Sequence, residues 1–299
     1  MPVPLIDLAS PDDAALALAI DAALRGAGFF ALTGHGVPAA VMEAAFAAGH
    51  RFFALGEADK TRWHIERSTL KRGFDPIGWQ SLDVGRPPDL KESFYIGTLS
   101  LGPNQWPDEA LVPGFRAACD AYAASMQATA TRLMHLFAIA LGLPPSHFDS
   151  FMRDPTCTTR LLHYPPQPAQ AAPGQIGCGA HTDWGALTLL AQDDAGGLQV
   201  QRRDGSWLDI APIPGALVVN TGDMMQRWTN DRWLSTMHRV VNRHSGRDRW
   251  SIAYFFDLDD RAVIEPLPVC VGADNPPRYA PLTAGEHLAE MYRRTTVAA

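Results

Sequence analysis

The chain has 299 residues, 46% of them apolar, and a formal net charge of −7. This composition is typical of a globular protein with a large core. The interspersed charges argue against nucleic acid or an anionic membrane as a partner. No apolar run approaches the roughly 18 residues of a membrane span, and the opening residues lack a secretory pattern. We therefore expect a soluble, cytoplasmic protein that acts on a small molecule, and the oligomeric state stays open.

The first predicted element is an alanine-rich helix. Ser10 is a suitable N-cap, because the proline and the acid behind it favour a first helical turn. We expect the helix to end near Gly26. The apolar segment 28–32 is bounded by glycine and is typical of a buried strand. A second helix is expected at about 39–55.

Two further helices have clear patterns. Between 113 and 141 the apolar positions recur three, four or seven apart, and a glycine and a proline then stop the pattern. This predicts one long amphipathic helix. Thr283 and Glu286 have the spacing of a capping box, which predicts a last helix that runs to Arg293.

The second half of the chain has a different texture. After about Thr156, short β-rich runs at 186–191, 197–201 and 216–220 are separated by turn signals. Many short strands without intervening helices favour a barrel or jelly roll over a parallel sheet.

The four cysteines form no paired motif. Wide spacing argues against both a disulfide framework and a thiolate zinc site. We expect reduced, packed thiols at Cys119, Cys157, Cys178 and Cys270.

Three residues of the β-rich half form a candidate metal site. His181 and Asp183 are two positions apart, so on an extended strand their side chains project from the same face. His238 follows 57 positions after His181, a stretch that several antiparallel strands can fill. Two imidazoles and one carboxylate leave one side of a metal open, which is the arrangement of non-haem Fe(II) oxygenases. A His-x-Asp pair alone more often marks a surface strand with a hydrogen-bonded histidine.

A second polar pair follows on a later apolar run. Arg249 and Ser251 also alternate, so the guanidinium and the hydroxyl can point into the same cavity. A guanidinium binds a carboxylate through two hydrogen bonds, to which the serine hydroxyl adds a third. The alternative for this pair is a structural ion pair with a neighbouring acid.

Together, the metal motif and the Arg-x-Ser pair resemble the iron(II)- and 2-oxoglutarate-dependent dioxygenases, specifically the isopenicillin N synthase-like branch. The residues concerned are His181-x-Asp183, His238 and Arg249-x-Ser251. The segments 28–38 and 161–166 resemble the family's N-terminal region and the strand before its metal motif. The resemblance covers most of the chain. It implies an α+β fold, in which helices mainly from the N-terminal half flank a double-stranded β-helix, or jelly roll.

The resemblance also implies roles for individual residues. Fe(II) would be bound by His181, Asp183 and His238. The distal carboxylate of the cosubstrate 2-oxoglutarate would be held by Arg249, Ser251 and Tyr164. Plant relatives often have an asparagine where this chain has Leu162, so one polar contact to the cosubstrate is expected to be missing or replaced.

On this basis we expect three regions within one structural unit. Residues 1–110 would form an N-terminal mixed region, 111–150 a long packing helix, and 151–299 the jelly-roll catalytic core with its C-terminal helix. His163 alternates with Tyr164 and should face away from the pocket. Lys91 is a candidate substrate contact, with a surface salt bridge as its alternative. His244 is expected in a solvated polar loop.

The implied reaction is oxidation of a small metabolite, by default hydroxylation, with dioxygen and 2-oxoglutarate consumed and succinate and carbon dioxide released. Two alternatives stay open. One is an oxidase of the same fold that needs no 2-oxoglutarate, and the other is a non-catalytic metal-binding β-barrel.

Overall fold

A computed structural model describes residues 3–83, 85–168, 170–242 and 246–295 of the chain. His244 lies outside the described residues. The described helices are α1 (Asp13–Gly26), α2 (Ala39–Phe53), α3 (Glu57–Lys60), α4 (Phe115–Ala140), α5 (Asp223–Trp228) and α6 (Ala284–Thr295). Short 3-10 turns lie at Thr61–Trp63, Ile65–Arg67, Leu99–Leu101, Pro145–Phe151 and Pro268–Cys270. None of the helices within these ranges is long and apolar enough to cross a membrane.

The strands form two principal sheets. They are β1 (Leu5–Asp7), β2 (Phe29–Thr33), β3 (Gly73–Asp75), β4 (Glu92–Gly97), β5 (Cys157–Tyr164), β6 (Cys178–His181), β7 (Leu187–Gln192), β8 (Leu198–Gln201), β9 (Trp207–Asp209), β10 (Leu217–Thr221), β11 (His238–Val240), β12 (Arg249–Phe256), β13 (Val263–Ile264) and β14 (Leu282–Thr283). The larger sheet has the order β1-β2-β10-β7-β12-β5-β4-β3, and the smaller one β6-β11-β8-β9. A separate hairpin pairs β13 with β14.

The core is divided between the two faces of the larger sheet. Its outer face packs against α1, α2 and α4, and the buried Tyr122 of α4 donates a hydrogen bond to the carbonyl oxygen of Ile252 on β12 at 3.2 Å. Its inner face shares a second apolar cluster with the smaller sheet, to which Leu162, Tyr164, Leu198 and Val240 contribute. Period-two alternation along each strand supplies both faces. The predicted double-stranded β-helix with flanking helices is confirmed.

Alternation on β5 separates neighbouring side chains as expected. Leu162 and Tyr164 belong to the inner cluster, whereas the ring of His163 stacks on Trp250 at 4.0 Å between ring centroids, on the helix side of the sheet. His163 therefore faces away from the pocket, as predicted. All four cysteines are buried and free, which also agrees with the prediction.

The helix ends were predicted with uneven success. The capping box of α6 is confirmed, since Glu286 accepts a hydrogen bond from the backbone N–H of Thr283 at 2.8 Å, and Thr283 accepts one from that of Glu286. Ser10 as the cap of α1 is wrong. Asp12 is the cap instead, because its carboxylate accepts from the backbone N–H of Ala15 at 2.9 Å, and the helix begins at Asp13.

Candidate metal and cosubstrate site

Pairing of two short strands in the smaller sheet brings the three predicted metal ligands together. His238 begins β11 directly opposite His181, the last residue of β6, and the two ring centroids are 4.2 Å apart. The prediction that Asp183 continues the same strand is wrong, because β6 ends at His181 and Asp183 lies in the turn that follows. Its Oδ1 nevertheless lies 3.6 Å from Nε2 of His238. One ligand atom from each residue lies within 4.8 Å of the others.

Backbone carbonyl groups orient both imidazoles. Nδ1 of His181 donates to the carbonyl oxygen of Gly179 at 2.8 Å, and Nδ1 of His238 donates to that of Thr236 at 3.1 Å. Because these bonds hold the proton on Nδ1, the Nε2 lone pair of each ring is free for a metal.

The carboxylate of Asp183 is fixed by two side chains of the larger sheet. Its Oδ2 accepts hydrogen bonds from Thr188 on β7 and Asn220 on β10, both at 2.6 Å. Oδ1 is therefore the oxygen turned towards the imidazoles. Thr188 and Asn220 were missed in the sequence, although both lie in predicted apolar strands, where a buried polar side chain is a signal in itself.

Burial sets the protonation states of this group. Burial, followed by the charge of His181, lowers the pKa of His238 to about 4. Burial also lowers the pKa of His181. For Asp183, burial acts in the opposite direction, but the imidazoles and the donors Asn220 and Thr188 keep its pKa below the usual value. Neutral imidazoles and an ionised carboxylate are the forms that bind a metal.

The donor set fits Fe(II). Two imidazole nitrogens and one carboxylate oxygen lie within 4.8 Å of one another, and they are the donor types of the facial triad in non-haem iron enzymes. Asp183 is bonded to Thr188 on β7, and β7 pairs with β12, the strand that carries the other predicted residues Arg249 and Ser251.

Arg249 is a buried cation whose described partners are all neutral. It is 1% exposed. Its guanidinium donates to the carbonyl oxygen of Gly196 at 2.7 Å, to Oε1 of Gln192 at 3.1 Å and to the hydroxyl of Ser251 at 3.2 Å. The structural ion pair considered for Arg249 does not occur with any of the described acids. A buried charge without a counterion is costly, so this pocket fits a carboxylate ligand.

Gln192 and Tyr164 complete the surroundings of this guanidinium. Nε2 of Gln192 is buried and has no hydrogen-bond partner among the described residues, so it remains available to a ligand; no sequence pattern indicated this donor. The ring of Tyr164 lies 4.7 Å from the guanidinium carbon of Arg249. Burial raises the pKa of Tyr164, so its hydroxyl stays protonated. Leu162 faces Ser251 across the β5/β12 pair and supplies only apolar surface.

Two family models match most of the chain. The 2OG-Fe(II) oxygenase superfamily matches residues 155–258, and the N-terminal region of non-haem dioxygenases in morphine synthesis matches residues 3–109. Among curated proteins, the 2-oxoglutarate-Fe(II) type oxidoreductase hxnY of Emericella nidulans is 38% identical over 90% of this chain and 81% of its own length. The 2-oxoglutarate-dependent dioxygenase citB of Monascus ruber is 41% identical over 93% of this chain and 87% of its own.

Solved structures give the same result. A full-length Neurospora crassa protein in complex with alpha-KG has a TM-score of 0.89 and 32% identity, and the match covers 98% of this chain and 96% of that one. JOX2 in complex with 2OG, Fe and JA has a TM-score of 0.86 and 29% identity over 99% of this chain and 86% of that one. These matches favour neither the cosubstrate-independent oxidase nor the non-catalytic barrel. The chain belongs to the 2OG-Fe(II) oxygenase superfamily and is a non-haem iron dioxygenase that depends on 2-oxoglutarate.

Proposed function

We propose that His181, Asp183 and His238 hold the Fe(II) of this enzyme, and that Arg249, Ser251 and Tyr164 bind the distal carboxylate of 2-oxoglutarate. The observation that carries the proposal is the buried guanidinium of Arg249, which has only neutral partners among the described residues. It lies on the same inner sheet face as Thr188, the partner of Asp183. A dicarboxylate fits this arrangement because one end neutralises the cation while the other end reaches the metal ligands.

We further propose that the reaction is hydroxylation of a small metabolite. When bound, Fe(II) would couple the oxidation of the substrate to the reaction of 2-oxoglutarate with dioxygen, which releases succinate and carbon dioxide. The protein itself contributes by positioning the groups that react and by excluding water. Thr188 and Asn220 keep the carboxylate of Asp183 ionised and aimed, while the apolar residues of the inner cluster exclude water from the cosubstrate.

Known ligands of similar proteins support a small-molecule substrate. The Neurospora crassa protein has also been solved in complex with both alpha-KG and thymine, and JOX2 was solved with JA. We propose a substrate of similar size, with dioxygen as co-reactant and no role for nucleic acid. The cytoplasmic location stays a prediction.

We also propose that the three regions 1–110, 111–150 and 151–299 form one structural unit. A single apolar cluster supports this, since it includes Ile6 and Leu16 from the first region, Tyr122 from the second and Ile252 from the third.

The proposal is tested by iron content and succinate release. The purified enzyme is loaded with Fe(II), and 2-oxoglutarate, dioxygen and a panel of small metabolites are added. We expect stoichiometric iron and substrate-stimulated succinate in the wild type, and loss of both in His181→Ala and Asp183→Ala. Asp194→Ala, which removes an exposed carboxylate, is the matched control and should keep both. Full iron binding in the His181 and Asp183 variants would contradict the proposed ligands.

A further inference from the structure

Arg160 is a second buried cation on the inner face of the larger sheet. It alternates on β5 with Leu162 and Tyr164, and its neighbours across the sheet are Ala253 on β12 and Tyr95 on β4. Ala253 contributes only a methyl group to the inner cluster at this point. The long side chain of Arg160 therefore lies on the face that also carries the candidate cosubstrate residues.

Hydrogen bonds from Nε and Nη2 orient the guanidinium of Arg160, whereas Nη1 takes part in none of the described hydrogen bonds. Nε donates to the hydroxyl of Ser93 at 3.1 Å. Nη2 donates to Ser93 at 2.8 Å, to Oε1 of Gln80 at 2.9 Å and to Oδ2 of Asp75 at 3.2 Å. Nη1 has no acceptor within the part of the chain that the structure describes, and the side chain is 9% exposed. A donor of fixed direction therefore remains on the inner face of the larger sheet.

An ion pair next to Arg160 connects this part of the inner sheet face to the metal ligand His181. Lys91 forms an ion pair with Asp89, so the salt bridge considered as its alternative role is found, but it is buried and not at the surface. Asp89 accepts a hydrogen bond from the backbone N–H of Gly179 at 2.8 Å, and the carbonyl of Gly179 is the group that orients His181.

The charge of Arg160 also reaches β6, the strand that ends at His181. Burial raises the pKa of the Cys178 thiol on β6 to about 11, and the positive charges of Lys91 and Arg160 oppose that rise. Contacts link the two as well: Gln80, which accepts a hydrogen bond from Arg160, accepts another through its backbone carbonyl oxygen from the N–H of Asp89 at 2.9 Å, and Asp89 is the residue bound to β6 at Gly179.

The net charge of Arg160, Lys91 and their two acidic partners decides which kind of ligand can bind beside them. Arg160 is paired with Asp75, and Lys91 with Asp89, so the two cations are already neutralised by two buried carboxylates. A substrate carboxylate placed there would lie close to both acids without meeting a further unpaired cation among these four residues. A neutral oxygen acceptor needs only the free N–H of Arg160.

From this arrangement we infer that Nη1 of Arg160 binds a neutral carbonyl oxygen of the substrate, as in an amide, a lactam or a ring imide. This inference rests on the proposed function, because it assigns the substrate of the same site. Arg160 is then a specificity residue, and it fixes which carbon of the substrate faces the metal.

The test is calorimetric titration of the anaerobic enzyme loaded with Fe(II) and 2-oxoglutarate. The probes are thymine and benzamide, which carry neutral carbonyl groups, and benzoate, which replaces the amide of benzamide by a carboxylate. We expect at least one neutral probe to bind, and benzamide to bind more tightly than benzoate. Arg160→Lys should weaken binding of the neutral probe about tenfold or more, since it loses a charge-assisted hydrogen bond of fixed direction. Arg132→Lys, which alters an ion pair with Asp13 outside the site, is the control and should bind like the wild type.

The outcomes separate this inference from the proposed function. If the wild type shows no visible charge-transfer band with Fe(II) and 2-oxoglutarate, the proposed function fails. If that band forms, the inference is overturned when no neutral probe binds, when benzoate is preferred, or when Arg160→Lys binds the probes as the wild type does. The same band in Arg160→Lys shows an intact site, and Arg160→Gln replaces it if the lysine variant does not fold.

Discussion

Arg249 is the residue on which the proposed cosubstrate binding depends most. It is buried, and its guanidinium is oriented by Gly196, Gln192 and Ser251. We predict that Arg249→Ala raises the KM for 2-oxoglutarate about 30-fold or more, because loss of one partner of a buried charge pair costs roughly 2 kcal/mol or more. Succinate release at varied 2-oxoglutarate concentration measures this.

Arg247 provides the matched control for Arg249. It lies two positions earlier but is half-exposed and paired with Asp194. Arg247→Ala should leave the KM for 2-oxoglutarate unchanged. An unchanged KM in Arg249→Ala as well would mean that this guanidinium does not bind the cosubstrate.

Asn220 should control iron affinity without being a ligand. It donates one of the two hydrogen bonds that orient Asp183. We predict that Asn220→Ala weakens Fe(II) binding about tenfold to a hundredfold, the usual effect of losing such a partner. Competition with a chelator measures it. Asn104→Ala, which loses two hydrogen bonds to the backbone of Gly97, is the control and should keep wild-type iron affinity. Equal affinities in both variants would contradict the role of Asn220.

At the scale of elements, the turn that follows β6 depends on a glycine. A Cβ added at Gly185 would collide with Oδ1 of Asp257, which is buried beside the end of β12. We predict that Gly185→Ala displaces the turn that carries Asp183 and so lowers iron content and succinate release. Iron content and thermal unfolding of the variant measure this effect.

The control and the rescue isolate the cause. Gly26→Ala has nothing within 4 Å of the added carbon and should behave as the wild type. The double variant Gly185→Ala with Asp257→Ala removes the collision and should regain iron. Failure of that rescue would show that the collision with Asp257 is not the cause of the lower iron content.

Elements were predicted from the sequence better than their exact contacts. The period of α4 and the capping box of α6 are local signals, and both are found in the structure. The end of β6 at His181 could not be predicted, because the turn at Asp183 is fixed by distant contacts. The backbone N–H of Asp223 and the hydroxyl of Ser235 both donate to the carbonyl oxygen of Asp183.

The same limit applied to the candidate site. Residues in short motifs were predicted together, but Thr188, Gln192 and Asn220 join them only through strand pairing in the larger sheet. Their spacing from the motif residues carries no period, and the one signal for Thr188 and Asn220, a polar residue within an apolar strand, does not show which residue each of them contacts. The burial of Lys91 beside Asp89 could not be predicted for the same reason, since it arises from packing against β6.

At the scale of the whole molecule, Asp257 should make the folding stability of the protein depend on pH. Burial, followed by the charges of Asp183 and Asp260, raises the pKa of Asp257 to about 7 from 3.8. Between these two values the folded protein binds the proton more tightly than the unfolded chain does. The contribution of Asp257 to the free energy of unfolding is therefore full below pH 3.8 and is lost as the pH rises towards 7.

The comparison with Asp257→Asn isolates this contribution, because the asparagine does not titrate. Relative to the variant, the metal-free wild type should lose stability with rising pH over that window, by on the order of 4 kcal/mol in total. Urea unfolding at several pH values measures the difference. Parallel profiles for the two proteins would contradict a raised pKa for Asp257.

One buried site should hold both Fe(II) and 2-oxoglutarate through the residues named above. The most direct test is anaerobic titration of the metal-free protein with Fe(II) and then 2-oxoglutarate, with the weak visible charge-transfer band of the chelate as the signal. We predict the band in the wild type, its loss in Asp183→Ala, and its appearance only at higher 2-oxoglutarate concentration in Arg249→Ala. Iron binding without a band in the wild type, or an unchanged band in Asp183→Ala, would contradict a shared site of this kind.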